Sequence, residues 1–245
     1  EKGHIDYIAR EAINKYGVDP IIAVKAACHH ASRYFLLNNR GAIAPGYLAD
    51  FAVIDNFKDF NVEMVFKKGV LYWNNGELRD FDAPQIEEYL DKRAHDTFHV
   101  ATLTPDDFRD TRQRGVLGMV PGEIITTDNG YADHVDLEKD ILKIAVVERH
   151  KGTHHIGLGY IQGYGLRSGA VATSISHDSH NIIVVGTNSA DMAFAANYIV
   201  EHHGGIVVVE NGVVKGSVVL EIAGIMSDRP LTEVNDQLEA AKAAA

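Results

Sequence analysis

Apolar residues near the start of the chain recur at three- and four-residue steps, at Ile5, Ile8, Ala9, Ala12, Ile13 and Tyr16. This spacing predicts an amphipathic helix, which Gly17 ends. A second helix is expected from Pro20, because Asp19 is a good N-cap and proline suits the first helical position. Cys28 falls on the apolar side of that helix and is expected to be buried. Both helices need a partner surface.

Beyond residue 40 the pattern changes to short strands. Pro45-Gly46 is the favoured pair for the centre of a type II turn, so residues 41–54 predict a hairpin. Strands are expected at residues 62–66 and 70–73, each followed by turn residues. Residues 41–80 therefore predict a small all-β unit.

The pattern from residue 84 to residue 140 is mixed. It contains a helix-like segment from Gln85 to Arg93, a helix start at Thr104-Pro105 and an acidic loop over residues 128–140. We expect a connector here. The acidic loop lacks the ligand spacing of an EF-hand, so calcium binding is not expected.

Residues 141–222 alternate β-type runs with one clear helix, Ala190 to His203. Asn211-Gly212 predicts a tight hairpin between the last two strands. Because a single long helix separates so many strands, antiparallel pairing is favoured over a doubly wound parallel sheet, and the fold class is α+β. The expected strands are Ile141 to Val147, Ala170 to Ile175, Ile182 to Val185, Ile206 to Val209 and Val213 to Leu220.

The composition argues against several classes of function. The 245 residues include 23 Lys+Arg against 34 Asp+Glu, a net charge of −11 that disfavours a nucleic-acid partner. The single cysteine excludes a disulfide framework or a Cys-x-x-Cys site and points to a cytoplasmic location. No apolar run approaches the length of a membrane-spanning helix. The start at Glu1, with neither an initiator Met nor a signal peptide, indicates a piece of a longer protein.

Seven of the 13 histidines lie between positions 150 and 203. His202 and His203 end a predicted helix just before Gly204-Gly205, where an imidazole interacts well with the helix dipole and the free carbonyls. A structural role is favoured for these two. The other five are His150, His154, His155, His177 and His180.

The run from Ser174 to Asn181 is the main candidate site, because it concentrates polar groups at the end of a predicted core strand. A histidine beside an aspartate is suited to moving protons. The competing interpretation is a polar turn between strands, because Asp, Ser and Asn bond readily to nearby backbone. His-x-x-His alone supplies too few ligands for a metal. The candidate catalytic residues are His177, Asp178 and His180, and the candidate substrate-binding residues are Ser176 and Asn181.

The glycines at positions 157, 159, 163 and 165 do not match a nucleotide-binding fingerprint. We interpret them as residues that let a strand or turn pass close to another backbone or a ligand. A Gly-x-Ser-x-Gly nucleophile motif is also absent from the sequence.

Two groups of motifs resemble a known family. The first comprises Gly3-His4-Ile5-Asp6-Tyr7-Ile8, Gly17-Val18-Asp19-Pro20, Gly41-Ala42-Ile43-Ala44-Pro45-Gly46 and Ala49-Asp50. The second comprises His154-His155-Ile156-Gly157, Gly163-Tyr164-Gly165, Ser176-His177-Asp178-Ser179-His180-Asn181 and Val209-Glu210-Asn211-Gly212. Together they resemble the carboxy-terminal part of the bacterial adenine deaminases, within the amidohydrolase superfamily.

The resemblance implies four segments. Residues 1–40 are expected to be the terminal helices of a TIM-like barrel, and residues 41–83 a small β-sandwich segment. Residues 84–140 form a connector with short helices. Residues 141–245 form an appended α+β domain with a largely antiparallel sheet.

The resemblance also implies an activity for the parent protein, the hydrolysis of adenine to hypoxanthine and ammonia by a metal-activated water. Two divalent ions, manganese, iron or zinc, would be held by barrel residues that precede Glu1. This chain alone is expected to bind no metal and to be inactive. Its implied partners are adenine, the missing N-terminal barrel and further copies in a homo-oligomer, with no nucleic acid and no membrane. The zinc deaminases with a Pro-Cys-x-x-Cys motif are excluded by the single cysteine.

Two alternatives stay open. The small β unit alone would also fit a cyclic amidohydrolase of the dihydroorotase or hydantoinase kind, although residues 150–220 argue against it. The appended domain could instead be a non-catalytic interaction or oligomerisation module whose histidines are structural.

Overall fold

A computed structural model describes residues 3–79 and 85–245, which divide into two compact units, one up to residue 85 and one from residue 86. The predicted start of the connector at residue 84 lies outside the described residues. Within the described ranges, no helix combines the length and the apolar character needed to cross a membrane.

The first unit begins with two helical segments, as predicted. Asp19 caps the second by accepting hydrogen bonds from the backbone nitrogens of Ile21 and Ile22 at 2.9 and 3.1 Å. Its regular part is short, because the backbone passes into a π-helical turn and back. The segments are α1 (Ile5–Asn14), α2 (Pro20–Lys25), the π-helical turn Ala26–His30 and α3 (Ala31–Tyr34).

A four-stranded antiparallel sheet completes this unit, with strands in the order β1-β2-β3-β4. The strands predicted at residues 62–66 and 70–73 are present. The four strands are β1 (Phe51–Ile54), β2 (Val62–Lys67), β3 (Val70–Asn74) and β4 (Glu77–Leu78). Within residues 3–79 the structure contains a single sheet. The β-sandwich, which needs a second sheet, therefore stays a prediction.

The hairpin predicted over residues 41–54 is wrong in its first half. Pro45-Gly46 does form a turn, in which Tyr47 donates to the carbonyl of Ala44 at 3.1 Å and Gly46 has a φ of +84°. The residues before it form no strand, because the chain after the turn bonds instead to the loop that follows α3, through the Leu48 nitrogen to the Asn39 carbonyl at 3.0 Å.

The first unit leaves a large apolar surface open. A cavity of about 610 Å³ is lined by side chains of its helices and sheet, including Ala9, Cys28, Phe35 and Phe51. Cys28 is exposed, so the expectation that it is buried is wrong. The reason is that its helix face turns toward this open cavity, which the described residues do not fill.

The second unit is built on an eight-stranded sheet with the order β12-β11-β9-β10-β7-β8-β5-β6. All neighbours pair antiparallel except β5 and β8, which confirms the α+β class and the largely antiparallel sheet. The strands are β5 (Arg114–Met119), β6 (Thr126–Ala132), β7 (Ile141–Val147), β8 (Ile156–Gln162), β9 (Ala170–Thr173), β10 (Ile182–Gly186), β11 (Gly205–Glu210) and β12 (Val213–Val219).

Three of these strands, β5, β6 and β8, were not predicted from the sequence. β5 and β6 lie inside the segment expected to be a connector, and β8 lies in the glycine-rich stretch. β5 joins the sheet through a parallel pairing with β8, in which Val116 lies beside Tyr160. Such long-range pairing leaves little trace in the local pattern. Glycine is not required at position 159 for this pairing, since a Cβ there would lie 3.6 Å from the Gly115 carbonyl oxygen, an ordinary van der Waals contact.

Helices cover both faces of the sheet. Val207 and Val209 of β11 point into a core with α5, whereas their neighbour Ile206 packs against the cluster of Val218 and Ala241 on the α6 side. The helical segments are α4 (Glu88–His95), the 3₁₀ helix Pro105–Phe108, α5 (Ser189–Glu201) and α6 (Leu231–Ala244). The predicted hairpin at Asn211-Gly212 is confirmed, with positive φ at both residues.

Candidate functional site

The predicted site lies at one edge of the eight-stranded sheet, where adjacent strands end and begin. Ile182, the first residue of β10, pairs with Val147, the last residue of β7, and Val147 also pairs with Ile156, the first residue of β8. The loops at residues 148–155 and 174–181 are therefore neighbours, as expected for loops that connect adjacent antiparallel strands.

The base of the 174–181 loop is fixed by buried serines. Ser174 is fully buried, and its Oγ accepts from the Gly205 nitrogen at 2.8 Å and donates to the Gly224 carbonyl at 2.5 Å. Ser176 is also buried, and its carbonyl accepts from the His180 nitrogen at 2.5 Å. The Ser174 bonds hold the start of the loop against the domain, and the Ser176 bond closes the loop on itself.

The tip of the loop projects into solvent. The side chains of His177 and Asp178 are 89% and 85% exposed and form an ion pair with each other through Nδ1 and Oδ1. Because nothing else in the described chain covers the two side chains, they are available to a molecule that faces this edge of the sheet. An aspartate that binds one imidazole nitrogen leaves the other nitrogen free for proton exchange.

His180 and Asn181 belong to the base rather than to the tip. His180 is half-buried, and its Nδ1 is a buried atom that finds no hydrogen-bond partner among the residues that the structure describes. Asn181 accepts a hydrogen bond from the Arg149 nitrogen at 3.4 Å. The structure therefore brings all five predicted residues into one loop but divides them into an exposed pair and a half-buried or buried group.

Arg149 is the buried centre of this region, and the sequence analysis missed it. Only 2% of its surface is exposed, and burial lowers the pKa of its guanidinium below the ordinary value. A local signal does exist. Along β7, Ala145 and Val147 are inward-facing residues, and Arg149 continues their alternation beyond the strand end.

The neighbouring loop is organised by Glu148. Burial raises the pKa of its carboxyl, but donors from the backbone of His150 and from Thr153 and Lys151 outweigh this effect and lower the pKa to about 2. The two loops are joined by His150, whose Nε2 donates to the Ser179 carbonyl at 2.9 Å.

The two helix-end histidines are structural, as favoured from the sequence. His202 stacks on Tyr198 with ring centroids 3.9 Å apart, and its Nδ1 donates to the Tyr198 carbonyl at 2.9 Å. His203 has a φ of +57° at the end of the helix, just before Gly204.

The histidines do not assemble a metal centre in the described part of the chain. Over residues 3–79 and 85–245, no three His, Cys, Asp or Glu side chains converge as metal ligands.

Two family profiles match the chain. The adenine deaminase C-terminal domain profile matches residues 122–245, and the amidohydrolase family profile matches residues 4–72. The candidate site lies entirely within the first of these matches.

Curated relatives match nearly the whole chain. Proteins called adenine deaminase from Dehalococcoides mccartyi and Kosmotoga olearia are each 39% identical over 97% of this chain, and the match covers 42% of each relative. A protein called adenine deaminase 1 from Rhizobium etli is 38% identical over 100% of this chain and 44% of its own length. The chain thus spans less than half the length of these relatives. Because the first profile covers about half of its residues, the chain belongs to the adenine deaminase C-terminal domain family.

Proposed function

We propose that this chain is the carboxy-terminal part of an adenine deaminase, which hydrolyses adenine to hypoxanthine and ammonia. The observation that carries the proposal is the 39% identity over 97% of the chain to a protein called adenine deaminase. The activity belongs to the complete enzyme, of which such a chain supplies the last two-fifths. We further propose a cytoplasmic location.

The 174–181 loop is the part of this chain that faces the substrate. Its two exposed side chains, His177 and Asp178, stand on a base that is tied down by Ser174. In the hydrolysis, water adds its oxygen to the ring carbon that carries the amino group, and the amino group leaves as ammonia after gaining a proton. In this proposal His177, oriented by Asp178, passes this proton, and His180 is the further catalytic candidate. Ser176 and Asn181 are the proposed substrate-binding residues.

The divalent ions, manganese, iron or zinc, are proposed for the barrel portion of the enzyme, where they would lower the pKa of the attacking water. The described residues of this chain form no site for them. In this proposal the chain contributes to proton transfer and substrate contact.

The open apolar surface of the first unit indicates that another part of the complete enzyme packs against it. Ile8, Ile22 and Ile43 are 61%, 58% and 89% exposed, and the amidohydrolase profile covers all three. We propose that this surface packs against the preceding part of the amidohydrolase domain, and that complete subunits assemble into a homo-oligomer.

The test replaces the loop-tip residues in a complete enzyme. We expect His177→Ala to lower kcat by about 10²- to 10⁴-fold and Asp178→Asn by less, with unchanged metal content. The matched control is His134→Ala, because His134 and Asp133 form a second exposed His–Asp pair, at the end of β6 and outside this loop. The control should keep full activity.

Other outcomes would assign other roles. A raised KM with unchanged kcat would make the loop a binding element only. Unchanged kinetics for the variants of His177, Asp178 and His180 would favour the non-catalytic interaction module. Turnover of a cyclic amide or hydantoin in place of adenine would favour the related amidohydrolases.

A further inference from the structure

We propose that Arg149 is a positioning residue for the 174–181 loop, holding it in the geometry in which it meets the substrate. The proposal rests on the proposed function of that loop. Arg149 would act through the His180 carbonyl and not on the substrate, because the guanidinium is buried and its hydrogen bonds go to the protein itself.

The guanidinium ties together three segments that are distant in sequence. Its Nε donates to the His180 carbonyl at 2.5 Å, 31 residues away. Nη1 donates to the carbonyl and the Oγ1 of Thr97 at 2.8 and 3.1 Å, and Nη2 donates to the Ala223 carbonyl at 2.9 Å. A planar fork of this kind can bind several acceptors at once, which a lysine ammonium cannot reproduce.

The buried guanidinium of Arg149 has an unusual environment, because it lacks an acidic partner among the described residues. Buried charges are usually paired with an opposite charge, but in the described part of the chain no carboxylate forms an ion pair with Arg149. Its charge is met by the carbonyl oxygens and by the Phe98 ring, whose centroid lies 4.2 Å from the guanidinium carbon. The cation is therefore stabilised only while the three segments stay in place around it.

The exposed tip lies between two anchors. Ser174 ties one end of the loop to Gly205 and Gly224, and Arg149 ties the other end at His180, where the bond from His150 to the Ser179 carbonyl adds to this second anchor. Within the described residues, His177 and Asp178 make no backbone hydrogen bond to the domain, so their placement depends on the anchors. Loss of the Arg149 anchor would let the tip move relative to a substrate held elsewhere.

The first experiment measures the loop in this chain, without reference to catalysis. Amide hydrogen exchange over residues 176–181 is compared for the wild type, Arg149→Lys and Arg149→Met. The matched control is Arg167→Lys, because the exposed Arg167 also donates to a backbone carbonyl, that of Leu137 at 2.9 Å, in the chain beyond the opposite end of β8. We expect exchange to become at least about tenfold faster in the Arg149 variants only. Unchanged exchange in the loop would overturn the proposal.

The second experiment measures turnover in a complete enzyme. Arg149→Lys is expected to lower kcat by about 10- to 100-fold with KM nearly unchanged, because a small misplacement of a catalytic group is costly. In a double variant with His177→Ala, the Arg149 substitution should have little further effect, because both act through the same tip. Additive losses would show that Arg149 acts by another route and would overturn the proposal.

A milder variant covers the case in which Arg149 variants do not fold. Thr97→Val removes the one side-chain acceptor and leaves the guanidinium in place. It should shift loop exchange and kcat in the same direction by about two- to threefold. No change in either measurement would overturn the proposal.

The two experiments separate this proposal from the proposed function. Faster loop exchange in Arg149→Lys with unchanged kinetics in both Arg149→Lys and His177→Ala would support the anchor and reject a catalytic loop. Unchanged exchange together with a kinetic loss in His177→Ala would reject the anchor and leave the proposed function standing.

Discussion

Oδ1 of Asp191 lies 2.8 Å from the backbone nitrogen of Gly212, so the first turn of α5 holds the hairpin between β11 and β12. Oδ2 accepts from the Asn211 nitrogen at 3.2 Å and from Asn188 at 2.8 Å. Burial raises the pKa of Asp191, but these donors outweigh it and lower the pKa below its ordinary value. One carboxylate therefore fixes the hairpin to the helix that covers the sheet.

Replacement of this carboxylate should destabilise the second unit. We expect Asp191→Ala to lower the free energy of unfolding by about 2 kcal/mol, because it leaves buried backbone donors without a partner. The melting temperature would fall by about 4–8 °C. Thermal unfolding followed by circular dichroism measures this. Asp236→Asn, on the exposed face of α6, should leave the melting temperature nearly unchanged, and an equal effect of the two variants would contradict the assigned role.

Glu148 predicts a pH dependence of stability. Its pKa is about 2 in the folded chain against an ordinary 4.5, so the folded state binds the proton less readily than the unfolded state. The stabilisation is complete above pH 4.5 and is lost as the pH falls toward 2. We expect Glu148→Gln to be about 1 kcal/mol less stable than the wild type at pH 7, with a difference that shrinks below pH 4.5.

Urea unfolding of the two proteins between pH 7 and pH 3 measures this difference. Glu201→Gln, at the exposed end of α5, is the control and should show no such trend. A difference between wild type and Glu148→Gln that stays constant over this range would contradict the prediction.

The 245-residue chain alone should not release ammonia from adenine when manganese, iron or zinc is added. The physical reason is that its described residues do not converge as ligands for a metal that could activate water. An ammonia assay measures this, with a complete adenine deaminase as the positive control. Turnover within about tenfold of an ordinary 10 per second would refute it.

The first unit should drive self-association of the isolated chain. Ile22 and other isoleucines of this unit are exposed, and contiguous apolar surface recruits partners when it exceeds a few hundred Å². Sedimentation velocity should show that Ile22→Lys reduces association. Ile124→Lys is the control, because Ile124 is fully exposed in the second unit and lies outside this surface. A wild-type chain that stays monomeric at every concentration would contradict the prediction.

The sequence alone predicted the features whose conformation depends only on residues close together in the chain. The Asp19 cap, the turn at Pro45-Gly46 and the Asn211-Gly212 hairpin depend on residues a few positions apart, and all three are present. The same holds for β7 and α5, whose hydrophobic patterns are strong. The motifs around Ser176 and Asn181 also indicate the family by their residue order alone, which does not depend on the fold.

Contacts between residues that are far apart in the sequence determine the features that local patterns did not predict. β5 and β6 form because β8 offers an edge to β5, and Cys28 is exposed because the described residues do not fill the cavity beside it. The candidate loop is the clearest case. Its polar residues were visible in the sequence, but only the fold separates an exposed His177 from a half-buried His180 and places Arg149 beneath them, since its hydrogen-bond partners lie 31 to 74 residues away along the chain.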